Sequence, residues 1–97
     1  MRVRRFGKSH AHPLLVLVAL PNETESTHFA VSAGRSVGNA VRRNRAKRLI
    51  RAALHTLVSS VAPGWDIILI ARKPLASATF TQTQAALQQL LERSRLI

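Results

Sequence analysis

The sequence has no cysteine and only four acidic residues among its 97 positions. Without cysteine the chain has no disulfide, no thiolate metal ligand and no thiol nucleophile, and its composition fits a reducing compartment. The four acids are scattered, so the sequence lacks the paired carboxylates on which many hydrolases rely. We therefore expect no catalytic residue on this protein, and we expect a cytoplasmic location.

The sequence also offers little to hold a metal ion or to cross a membrane. Its four histidines lie beside neither cysteine nor an acidic cluster, so we predict no metal site on the protein. No apolar run approaches the roughly 20 residues that span a bilayer. The run at residues 14–20 follows a basic start, but it is short for a signal peptide, and Pro21 stands where a small-residue cleavage site would be needed. We expect no membrane partner and no small-molecule ligand.

Positive charge is what the sequence has in excess. Fifteen Lys and Arg residues oppose the four acids, which gives a formal net charge of +11 and a pI near 12.0. Such self-repulsion destabilises a compact chain unless a polyanion or salt screens it. Nucleic acid is the first expectation for the partner, and an anionic membrane surface is the weaker one.

Short apolar runs, alternation of apolar and polar residues, and apolar residues at helical spacing predict two strands, a helix, a strand and a second helix, in that order. The strands are predicted at residues 14–20, 27–33 and 65–71, the helices at 39–60 and 80–93, and a hairpin loop at 21–26. A sheet with helices packed against it is an α+β sandwich. The length suits a single domain.

Apolar residues at spacings of three and four predict the buried face of each helix. In the first helix the predicted core residues are Ala46, Leu49, Ile50, Ala53, Leu54, Leu57, Val58 and Val61. In the second they are Phe80, Ala86, Leu87, Leu90 and Leu91, with Thr79 as the N-cap. We expect Phe29, Trp65 and Phe80 to pack in the core rather than to stack on bases.

The segment at residues 35–51, RSVGNAVRRNRAKRLIR, has seven basic residues and no acid. On a helix Arg45, Arg48 and Arg51 form one stripe, with Asn44 on the same side, opposite the apolar face. A solvated helix face is the alternative, but it usually carries charges of both signs, and repulsion among like charges costs helix stability. Guanidinium groups suit phosphate because their planar forks donate two parallel hydrogen bonds. The segment therefore predicts an RNA-binding surface.

Residues 37–51 read VGNAVRRNRAKRLIR and resemble the Arg-Asn-Arg signature of bacterial ribonuclease P proteins. Every fixed position of the pattern G-x-A-V-x-R-N-R-x-K-R-x-x-R is met. The likeness extends over residues 65–74, WDIILIARKP, and over the first predicted strand. It covers nearly the whole chain, which is therefore expected to be one domain of this family, residues 1–97.

The resemblance implies a two-layer α+β sandwich, a small mixed sheet with helices, in which a left-handed βαβ crossover carries the Arg-Asn-Arg helix. It also implies a subunit of the ribonuclease P holoenzyme, an endoribonuclease that removes the 5′ leader of precursor tRNA. The catalytic RNA performs the hydrolysis with Mg²⁺, which the RNA mainly holds. The expected RNA-binding residues are Arg35, Arg42, Arg43, Asn44, Arg45, Lys47, Arg48 and Arg51.

The chain departs from the family pattern in three places. The chain starts inside the region of the family's N-terminal helix, so either the start codon is assigned too late or this helix is short. Arg4 and Val18 stand where the family has aromatic residues that line the cleft for the leader. Ser36 stands where a second basic residue is common. The candidate leader-binding residues are Arg4, Phe6 and Lys8.

Three other functions compete with that of a ribonuclease P subunit. A ribosomal or other structural RNA-binding protein fits the charge and the fold, but has no reason to share the fixed spacing of the signature. A helix-turn-helix DNA-binding protein needs a supporting helix where this sequence predicts strands. A membrane-active cationic helix is disfavoured because the basic helix continues into an apolar face of core type.

Overall fold

The computed structural model describes residues 8–97, which form a four-stranded sheet with two helices packed on one of its faces. The strands are β1 (Lys8–Ala11), β2 (Leu15–Pro21), β3 (His28–Ala33) and β4 (Trp65–Ala71), and the helices are α1 (Ala40–Leu57) and α2 (Phe80–Arg93). Short 3-10 turns lie at Arg35–Val37, Val58–Ser60 and Lys73–Ser77. The predicted α+β class is confirmed.

The strand order is β1-β2-β4-β3, with β3 parallel to β4 and the other neighbours antiparallel. The predicted hairpin at residues 21–26 is therefore wrong, because β4 lies between the two strands that this loop joins. Parallel neighbours need a crossover connection, and α1 provides it between β3 and β4. The handedness of this crossover stays a prediction. Strand β1 was not predicted, since the short polar segment KSHA shows no alternation of apolar and polar residues.

One face of the sheet is buried under the helices and the other is open. The buried face consists of alternate residues of the two central strands, Leu15, Leu17, Ala19, Ile67, Leu69 and Ala71. The open face of the same strands is partly exposed and apolar at Val16, Val18, Leu20, Ile68 and Ile70. This alternation follows from the period-two geometry of a strand. We call the second set the open sheet face.

Both helices bury most of the face that their spacing predicts. Leu49 is only partly buried, and Val58 and Phe80 are exposed. The buried residues are Ala46, Ile50 and Ala53 in α1 and Thr83, Ala86, Leu87, Leu90 and Leu91 in α2. Val58 is 43% exposed, because the chain tightens into a 3-10 turn there and leaves the helical register. Phe80 is 38% exposed, because it begins α2 one turn before the first buried residue. Both were wrongly placed in the core.

Side-chain caps fix where each helix begins. The Asn39 side chain accepts a hydrogen bond from the Arg42 backbone N–H at 3.0 Å. At α2 a capping box joins Thr79 and Gln82, and each side chain bonds the backbone N–H of the other residue. The predicted cap at Thr79 is confirmed.

Candidate RNA interface

The basic segment forms α1 and the turn before it, as the spacing predicts. Gly38 precedes the N-cap with φ +138°, a conformation that L side chains rarely adopt. A Cβ at this position would also lie 2.8 Å from Cδ of Arg42. The glycine therefore lets the Arg42 side chain lie against the backbone at the start of the helix.

The outer side of α1 presents a basic surface, which we call the α1 basic face and define by Asn44, Arg48 and Arg51. All three residues are exposed. They lie opposite Ile50 and Ala53, which are fully buried against the rest of the protein. The helix thus separates its packing face from its charged face, as predicted. Among residues 8–97, none of the three donates a side-chain hydrogen bond to the protein, so their donors are available to a ligand.

Arg42 and Arg45 differ from the basic face, because their guanidinium groups bond to the protein itself. Arg45 Nε donates to Ala76 O at 2.8 Å, and its Nη2 donates to Ala78 O at 3.4 Å. Arg42 Nη2 donates to Ser77 Oγ at 3.0 Å, and its Nε donates to Val37 O at 3.4 Å. These contacts could not be predicted from the sequence, since nothing in the spacing of α1 points to residues 76–78.

Arg43 carries a donor that has no partner in the described part of the chain. Its Nε is buried and makes no hydrogen bond there. Leaving such a donor without a partner costs about 1–3 kcal/mol. A water molecule or a phosphate oxygen would satisfy it. Lys47, like Arg43, is partly buried, and both lie between the basic face and the packing face of α1.

Two further cations follow β4, at Arg72 and Lys73. The 3-10 turn that contains Arg35 packs against the turn that begins at Lys73, and Arg35, Arg72 and Lys73 are all exposed. A groove of about 710 Å³ opens at this point, lined by Pro13, Ser36, Ile70, Ala71, Arg72, Lys73 and Pro74. The end of the parallel strand pair is therefore basic, and it lies close to the beginning of α1.

Of the three candidate leader-binding residues, the structure describes only one. Arg4 and Phe6 lie outside the described residues. Lys8 Nζ lies 4.9 Å from the centroid of the Trp65 ring and donates to Ser94 O at 3.5 Å. Because Lys8 pairs with the buried Ala19, its side chain points to the helix-covered side of the sheet. Val18 lies on the open sheet face.

A small polar cluster lies at one end of the open sheet face. Asn22 Nδ2 donates to Asp66 Oδ1 at 3.0 Å, and His28 Nδ1 lies 3.1 Å from the same oxygen. The hydrogen bond from Asn22 and then that from His28 lower the pKa of Asp66 below its ordinary value. The carboxylate thus stays charged at the edge of an otherwise apolar surface.

Neither a metal cluster nor a membrane-spanning helix is found in residues 8–97. No group of three or more His, Cys, Asp or Glu side chains is close enough to hold an ion within that range. No helix there is long and apolar enough to cross a bilayer. Besides His28, which contacts Asp66, His12 makes a structural contact, because its Nδ1 accepts a hydrogen bond from Leu14 N–H at 3.0 Å.

Comparison with solved structures supports the fold. The RNase P protein of Staphylococcus aureus superposes with a TM-score of 0.85 at 32% identity, covering 98% of this chain and 87% of that one. The RNase P protein of Thermotoga maritima superposes with a TM-score of 0.83 at 27% identity, covering 95% of this chain and 87% of that one. The chain therefore shares the fold of these RNase P proteins over most of their length.

Comparison of sequences agrees with the structural likeness. A ribonuclease P protein component from Roseiflexus castenholzii is 40% identical over 97 residues, which is 99% of this chain and 80% of that protein. One from Herpetosiphon aurantiacus is 38% identical over 95 residues, covering 98% of this chain and 77% of that protein. The sequence model of the family Ribonuclease P matches residues 1–95. The chain belongs to the ribonuclease P protein component family.

Proposed function

We propose that this protein binds the catalytic RNA of ribonuclease P through α1 and assists the removal of the 5′ leader from precursor tRNA in the cytoplasm. The observation that carries the proposal is the α1 basic face. Arg48 and Arg51 are exposed and donate no side-chain hydrogen bond within residues 8–97, on a helix that has no acidic residue and whose opposite side is buried. A surface of this kind neutralises phosphates and releases their counterions.

Each part of the face contributes a different interaction. Arg48 and Arg51 donate paired hydrogen bonds to phosphate oxygens. Asn44 places a neutral donor and acceptor among these cations, suited to a ribose hydroxyl, a base edge or a metal-bound water. The RNA holds the Mg²⁺ and performs the hydrolysis, so the protein supplies binding and no catalytic residue.

We further propose that the 5′ leader of the precursor lies along the open sheet face. This surface is apolar and only partly exposed, with Val18 and Ile68 on adjacent strands. Unpaired bases bind by contact with such surfaces, and neighbouring cations hold their phosphates. Arg4 and Phe6 are the candidates from the start of the chain. Lys8 is a weaker candidate, because its side chain is directed to the other side of the sheet.

The test is cleavage of a precursor tRNA at low Mg²⁺ by the cognate catalytic RNA, alone and with this protein added. We expect the protein to accelerate cleavage at the mature 5′ end. Arg48→Gln should weaken this stimulation, whereas Gln88→Ala, on the exposed side of α2, should leave it unchanged. Tight RNA binding without any stimulation would contradict the proposal and would favour a structural RNA-binding protein.

A further inference from the structure

The first turns of α1 have no apolar anchor. None of the residues from Ala40 to Arg45 is buried, and Val41 is 74% exposed. The first buried residue of the helix is Ala46. Within α1, burial of apolar surface therefore holds only the later part to the protein, and the nearest apolar anchor on the other side is Val37, in the turn before the helix. A helix end that lacks such packing frays unless other contacts hold it.

Two arginines provide contacts at this end. Arg42 reaches Ser77 and Arg45 reaches Ala76 and Ala78, so both bond to the segment that follows β4. The Arg45 fork engages two backbone carbonyls at once, which a lysine ammonium at the same position cannot do with the same planar geometry. Hydrogen bonds from a charged group are also stronger than neutral ones.

We propose that Arg42 and Arg45 are positioning residues, which fasten the start of α1 to residues 76–78 and so hold Asn44 and Arg48 in place for RNA. The inference rests on the proposed function and divides its candidate residues into two groups. The α1 basic face contacts phosphate, whereas Arg42 and Arg45 each donate from Nε and Nη2 to the protein itself. These two arginines then contribute to RNA affinity without releasing a counterion of their own.

The experiment compares Arg45→Gln and Arg45→Lys with the matched variant Arg48→Gln in the full chain. The first measurement is the affinity for the catalytic RNA as a function of salt concentration. A phosphate contact changes the slope of log affinity against log salt by about 0.7 to 0.9. A positioning residue instead lowers affinity at constant slope. The second measurement is hydrogen exchange at the Leu75 and Ala78 amides, which bond to Arg72 O and Leu75 O in the fastened segment.

We expect both Arg45 variants to bind RNA about three- to tenfold more weakly with the slope of the wild type. Exchange at Leu75 and Ala78 should be about tenfold faster in both, since lysine cannot replace the fork. Arg48→Gln should reduce the slope and leave the exchange unchanged. A reduced slope in Arg45→Gln, unchanged exchange, or full rescue by lysine would each overturn the positioning role. If Arg48→Gln also left the slope unchanged, the proposed RNA contact would fail, and the exchange rates would still decide the role of Arg45.

Discussion

The two helices pack on the same face of the sheet but have different outer surfaces. The α1 sequence includes six Lys and Arg residues and no acid. The outer side of α2 is mostly uncharged, with Gln88 and Gln89 exposed, and the helix has one basic residue, Arg93, and one acid, Glu92. The helices also differ in the core, where α1 buries three residues and α2 buries five.

The comparison indicates that α2 contributes mainly to stability, whereas the charge of α1 supports the proposed role in binding. A neutral outer surface is sufficient for a helix whose purpose is to cover a sheet, as α2 demonstrates. The like charges of α1 repel one another and oppose folding, so packing does not account for them. A polyanionic partner removes this cost, which is why the charge of α1 indicates RNA.

The largest effect should come from the core of α2. Leu87→Ala removes a fully buried side chain and should lower the free energy of unfolding by about 2–5 kcal/mol. Urea denaturation measures this change. The exposed neighbour Gln88→Ala serves as the control and should change stability by less than about 0.5 kcal/mol. If Leu87→Ala had no more effect than its control, the assignment of α2 to the core would be contradicted.

A substitution in the α1 basic face should have the opposite pattern of effects, with little change in stability and a loss of RNA binding. Arg48→Ala should change stability by about 0.5 kcal/mol or less, because the side chain is exposed and makes no contact on which packing depends. It should nevertheless weaken RNA binding and flatten the salt dependence by about one unit of slope. A filter-binding titration at several salt concentrations measures both effects. An unchanged slope would remove Arg48 from the contact surface.

The two N-caps sharpen the comparison, because they are chemically similar and belong to different helices. Thr79→Ala and Asn39→Ala should each lower the free energy of unfolding by about 1 kcal/mol. Only Asn39→Ala should also reduce RNA affinity, since it loosens the end of α1 from which the basic face extends. Thermal denaturation and RNA titration on both variants test this difference. Equal losses of affinity would mean that the caps act through global stability alone.

The smallest effect concerns pH. Hydrogen bonds from Asn22 and His28 lower the pKa of Asp66 in the folded protein. Its stabilising contribution is therefore present above the unfolded pKa, about 3.9, and is lost as pH falls through the lower folded value. Asp66→Asn should make the urea midpoint less dependent on pH below about pH 5. A variant with the full acid sensitivity of the wild type would contradict the assignment.

Much of the fold was predictable because its signals are local. Residues 65–71 and 80–93 were predicted with the bounds that the structure shows, since a continuous apolar run and a helical period are each read from neighbouring residues. The strand β1 was not predictable, because its four residues are polar or small. Its only sign is its pairing with β2, which the sequence of the segment does not reveal. Phe80 was wrongly predicted to lie in the core because its side chain is apolar. Its position at the start of α2 leaves it partly exposed.

By itself, the sequence determined the α+β class, the two-sided character of α1 and the family, because charge, period and motif are properties of consecutive residues. Only the tertiary structure decided the sheet order and which arginines of α1 bond to other residues of the described chain. Arg42 and Arg45 bond to residues 35 and 31 positions away in the chain. Contacts at such separations depend on how the elements pack, and no local pattern along α1 records them. Six basic residues that look alike in sequence therefore differ in the fold, because packing engages some of their donors and leaves others exposed.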